Sequence, residues 1–82
     1  MSGKEYKYDY TVCNCADEGV FYKQCRSIES NIPNLIMAKL LDDVDGSLVQ
    51  KYSHPNGMIV VKNDCQVDAV YVQSDFDLLP FF

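Results

Sequence analysis

Tyr6-Lys7-Tyr8-Asp9-Tyr10-Thr11-Val12-Cys13, followed closely by Asp17-Glu18-Gly19-Val20-Phe21-Tyr22-Lys23-Gln24-Cys25-Arg26-Ser27-Ile28-Glu29-Ser30-Asn31-Ile32-Pro33, is the stretch on which the fold turns. In its first part Tyr6, Tyr8, Tyr10 and Val12 alternate with Lys7, Asp9, Thr11 and Cys13, the pattern of a strand with one face on a core. In its second part Phe21, Cys25, Ile28 and Ile32 recur at i, i+4, i+7 and i+11, one stripe of an α-helix. Asp17 is placed to cap that helix, and Glu18 suits the positive end of its dipole. Pro33 forces the residue before it out of helical conformation, so the helix is expected over 18–30. A strand thus hands over directly to a helix.

Downstream the signals are those of strands and turns. Leu35 to Leu41 could be a helix by residue type, but a short apolar run between turn residues favours a strand. Asp43-Val44-Asp45-Gly46-Ser47 has hairpin chemistry, and Leu48 to Tyr52 returns as its partner. Ser53-His54-Pro55-Asn56-Gly57 is the clearest turn, since Pro presets φ and Asn-Gly accepts left-handed backbone. Met58 to Val61 reads as a strand covered on both faces, and a last strand begins near Val67. The expected fold is α+β, one domain spanning 1–82, with a single helix on a mainly antiparallel sheet of four or five strands in the order β-α-β-β-β-β. One helix cannot screen both faces of such a sheet. The tail Asp75-Phe76-Asp77-Leu78-Leu79-Pro80-Phe81-Phe82 is therefore expected to fold back on the bare face or to dock on a partner or second copy.

The totals exclude several classes. At 48% hydrophobic and 23% charged the chain is an ordinary globular domain rather than a disordered tail. The formal charge is -5, and it lies wholly in the second half, where seven acids face only Lys51 and Lys62. Such a charge disfavours direct nucleic-acid and anionic-membrane binding and favours a basic protein partner. The N-terminus shows no apolar leader and no run approaches the length of a membrane span, so a cytoplasmic protein is expected.

Four cysteines, Cys13, Cys15, Cys25 and Cys65, are expected as reduced thiols. Their spacing lacks the paired knuckles of a zinc site, although four thiolates on one zinc is the metal alternative. No Cys-x-x-Cys is present, which weakens a redox role. His54, the sole histidine, is the only base available to a thiol or hydroxyl nucleophile, so a small oligomeric enzyme or ligand-binding domain using His54 and nearby acids is the catalytic alternative. The acids of 42–45 miss the register of a calcium loop, and no Gly-rich phosphate loop exists. No cofactor and no catalytic residue is expected.

What remains is a binding module. An acidic domain rich in Tyr and poor in catalytic equipment resembles, as a functional class, small inhibitor, immunity and antitoxin proteins and phage or mobile-element accessory proteins that block a basic surface on another protein. The residues expected to meet the partner are Asp42, Asp43, Asp45, Tyr52, Asp64, Asp68, Tyr71, Asp75, Phe76, Asp77, Phe81 and Phe82. A homodimer through the sheet face or the C-terminal tail is the assembly the sequence also allows.

Overall fold

The computed structural model describes residues 6–42 and 46–82, with 37–42 described by backbone alone. The elements are β1 (Tyr8–Cys13), α1 (Glu18–Asn31), β2 (Ile36–Asp42), β3 (Leu48–His54), β4 (Gly57–Asp64), β5 (Ala69–Ser74) and a closing 3₁₀ turn (Leu79–Phe81). The strands form one antiparallel sheet in the order β1-β5-β4-β3-β2. This is the α+β arrangement that the two periodicities imply, and the ambiguous apolar run from Leu35 to Leu41 resolves as a strand, β2 beginning at Ile36.

The register explains the core. Tyr52 pairs with Ile59 and Ile59 with Ser74, while Val61 pairs with Gln50 and Val72. Directly paired residues share a face, so these side chains all point to one side. There they meet Phe21, Cys25, Ile28 and Ile32 of the helical stripe, all buried. Asp17 caps the helix as expected, its carboxylate accepting the Val20 N–H at 3.2 Å. At the far end Ile32 turns extended and its N–H closes on the Ile28 carbonyl, which satisfies one of the carbonyls a helix terminus leaves open.

The helix start is fastened by two side chains, one from the end of β4 and one from the β4–β5 turn. The Asn63 carboxamide oxygen accepts the Asp17 N–H at 3.0 Å, and Asp68 accepts the Ala16 N–H at 2.7 Å. Asp68 does this from a left-handed backbone, φ 55°, a conformation that Asp tolerates better than most residues. Gly46 lies at φ 89°, in keeping with a hairpin turn before β3, while residues 43–45 lie outside the described residues.

Three expectations change. β1 carries a register shift between Thr11 and Cys13, a bulge that leaves Val12 39% exposed and turns Cys13 toward the core instead. In the turn after β3 the positive φ falls on Gly57, at 141°, while Asn56 keeps a negative one. The tail does not cover the bare face. Leu78 enters the core on the helix side, 3% exposed, and Phe76 and Phe81 pack beside it. By the same register rule the open face is mixed, carrying Lys51, Ser53, Lys62, Asp64, Tyr71 and Gln73 together with Val49, Met58 and Val60. Val60 pairs directly with Lys51 and Gln73 and is buried, as the stems of such long polar side chains allow.

Candidate functional site

Most of the acids expected to meet a partner are occupied by their own chain. Asp64 accepts the N–H groups of Gln66 and Val67 at 2.9 and 3.4 Å and the Tyr71 hydroxyl at 3.0 Å, with Lys62 at 3.8 Å. Partial burial alone would lift its carboxyl, but these donors, led by the Gln66 amide, hold it below the usual carboxylate range. Asp68 fastens the loop before α1, and Asp75 accepts the Met58 N–H at 2.9 Å. Asp43 and Asp45 lie outside the described residues, as does the side chain of Asp42. Tyr52 must be struck from any contact surface. It is fully buried on the helix side of β3 and its hydroxyl donates to Glu29 at 2.7 Å. Burial first, then that bond, pushes its hydroxyl well above the ordinary value.

His54 ends β3 with its Nδ1 accepting the Asn56 N–H at 3.0 Å. Its ring stacks on Phe76 with centroids 4.8 Å apart and meets the edge of Phe81 at 5.9 Å. Among the described residues no carboxylate bonds it. The depression beside it, about 300 Å³, is lined by Asn34, Ile36, Ser53 and Pro55. The geometry is that of a packing histidine whose ring fixes Phe76 and Phe81.

The thiols divide by environment. Cys25 is buried on the helix stripe, where burial pushes its thiol up, whereas Cys15 and Cys65 are exposed. Among the described residues no three His, Cys, Asp or Glu side chains converge as metal ligands.

The predicted contact residues do not converge on one surface; the apolar groove that the structure does form lies at the β1 edge of the sheet and takes only Phe82 from that set. Tyr10 and Val12 of β1, Gln24 and Ser27 of α1, and Leu79 and Phe82 of the tail enclose an apolar groove of about 210 Å³, floored by Val72 and Leu78. Tyr10 organises it. Its hydroxyl donates to Asp77 at 3.0 Å and accepts the Leu78 N–H at 3.0 Å, while Asp77 also accepts the Leu79 N–H at 3.0 Å. Burial, only partly offset by the Leu78 amide, raises the Tyr10 hydroxyl above its ordinary value, so it stays a donor to Asp77. Leu79 is 66% exposed and Phe82 56%. Beside them, among the described residues, β1 is hydrogen-bonded on its β5 side only.

Of the residues expected from sequence, only Phe82 lines this groove, while Asp77 accepts the hydroxyl of its lining residue Tyr10 and Phe76 and Phe81 pack against His54. Tyr10, Val12, Gln24, Ser27, Val72, Leu78 and Leu79 were missed as contact residues. The apolar tail was a usable signal for Leu79, whereas only the bulge reveals Val12. Among the described residues no helix is long and apolar enough to cross a membrane. No protein-family model, curated protein or solved structure matches the chain.

Proposed function

We propose that this domain is a protein-binding module of the cytoplasm that blocks a basic surface of another protein, using the groove between β1, α1 and the tail. The observation that carries the reading is the exposure of Val12, Leu79 and Phe82 around an apolar groove beside an unpaired strand edge. Large apolar groups left in the open are a cost in solubility that a contact surface accounts for. An extended segment of a partner can add to β1 through main-chain hydrogen bonds and place an apolar side chain in the groove. Asp9 on β1 and Asp77, which accepts the Tyr10 hydroxyl, are both exposed, and with the net charge of -5 they select a segment with basic flanks. Inhibition follows from occupancy and requires no turnover by this chain.

Affinity capture from a lysate of the source organism tests this, with wild type compared against a Leu79→Ser/Phe82→Ser variant of unchanged melting temperature. The reading expects a basic protein retained by wild type at low salt, released as salt rises, and lost from the variant. Equal capture by both proteins, or none by either, would overturn it.

A further inference from the structure

The thiols at the end of β1 take no part in the groove, and their geometry is specific. We propose that Cys13 and Cys15 form an oxidisable dithiol that reacts with small-molecule disulfides and closes into an intramolecular bridge. On a regular strand, side chains two positions apart are separated by roughly 7 Å. Here the Sγ atoms lie 3.5 Å apart, because the bulge at Thr11/Cys13 reorients Cys13 and the chain bends immediately after it. The loop is then pinned just beyond Cys15, at Ala16 by Asp68 and at Asp17 by Asn63. The approach of the two sulfurs is thus a property of the folded chain. Closing to a bond of about 2.05 Å requires a movement of roughly 1.5 Å, within the reach of side-chain rotation.

The two thiols have different exposure, which orders the chemistry. Cys15 is exposed and Cys13 half-buried. The Cys15 thiolate attacks one sulfur of the disulfide and displaces the other as a thiolate, giving a mixed disulfide on Cys15. The Cys13 thiolate then attacks the Cys15 Sγ and expels the second small thiol. Two protein thiols have lost two protons and two electrons, and the small disulfide has been reduced to two thiols. The hydrogen bond that Cys15 shares with Cys13, and then the charge on Cys13, hold the Cys15 thiol above the ordinary value. The first step therefore speeds up with pH, by about tenfold per unit while the thiol remains mostly protonated. Cys65 is equally exposed but does not join the pair in a larger cluster, so it serves as a single-thiol reference in the same molecule.

The experiment treats the native, fully reduced protein with excess oxidised glutathione, alkylates the remaining thiols and digests with trypsin. Cleavage after Lys7, Lys23, Arg26 and Lys62 places Cys13 and Cys15 together on 8–23, Cys25 on 24–26 and Cys65 on 63–82. The expected result is peptide 8–23 lighter by a pair of hydrogens, exceeding its glutathione adduct by about tenfold or more, with Cys65 carrying glutathione. In Cys13→Ser the adduct on Cys15 should accumulate instead, since nothing remains to expel it. A stable glutathione adduct dominating 8–23 in the wild type, a bridge joining 8–23 to 63–82, or a bridge that forms only in urea would each overturn the proposal.

Discussion

Replacing Leu78 with alanine should destabilise the domain severely, whereas the same change at Leu79 should leave it nearly untouched. Leu78 is 3% exposed and belongs to the core cluster with Phe21, Ile28 and Val72, while Leu79 is 66% exposed. Truncating a buried leucine removes its transfer free energy and leaves a cavity, together about 2 to 4 kcal/mol where neighbours relax only in part. For a chain of 82 residues the unfolding entropy is about 0.17 kcal/mol/K, so each kcal/mol moves the midpoint by roughly 6 °C. Leu78→Ala should therefore melt about 12 to 24 °C below wild type, and Leu79→Ala within about 3 °C of it. Thermal unfolding followed by far-ultraviolet circular dichroism, with calorimetry to verify two-state behaviour, measures both. Similar shifts for the two variants would show that the tail does not dock through Leu78, and the groove it walls would lose its basis.

Three further outcomes are expected. Gly57→Ala should destabilise by about 1 to 3 kcal/mol, because Gly57 sits at φ 141° and a Cβ there would lie 2.5 Å from that of Asp75; urea unfolding at equal m-value checks it, and a neutral result would contradict the turn geometry. In native thiol titration Cys25 should react last, since it is buried and its thiol is raised, with about four thiols counted once the reduced chain is unfolded; early labelling of peptide 24–26 would refute this. Because the folded-state carboxyl of Asp64 is held low, its contribution to stability is present above the unfolded value near 3.9 and is lost as pH falls through the lower folded value. Asp64→Asn should accordingly lack that part of the acid loss seen in wild type below about pH 4, and parallel stability curves for the two proteins would exclude it.

Local signals carried most of the fold. The stripe of Phe21, Cys25, Ile28 and Ile32 is buried as its spacing requires, and Asp17 caps as its chemistry suggests. Val12 was misread because strict alternation assigns it inward, and a bulge is set by pairing with β5, a partner distant in sequence. The tail's apolar content was plain, but its destination depended on how polar the open face would become once register was fixed. The acids were counted correctly and their tasks were not. Asp68 and Asp75 accept backbone N–H groups of segments far along the chain, relations that no local spacing encodes.

The pairing of β1 with β5 alone has a consequence for how the chain acquires its structure. Tyr8 finds its hydrogen-bonded neighbour at Ser74, and the helix start is fastened by Asn63 and Asp68. The first strand and the first turn of the helix thus depend on contacts made near the other end of the sequence. Closing so long a loop is entropically costly before any contact rewards it. While the chain emerges from a ribosome, the hairpins β2–β3 and β3–β4 can form in order, but the N-terminal strand must wait, its Tyr8 and Tyr10 uncovered, until Ser74 has cleared the exit tunnel. Pairing of β1 with β5 is then a late step that completes the sheet.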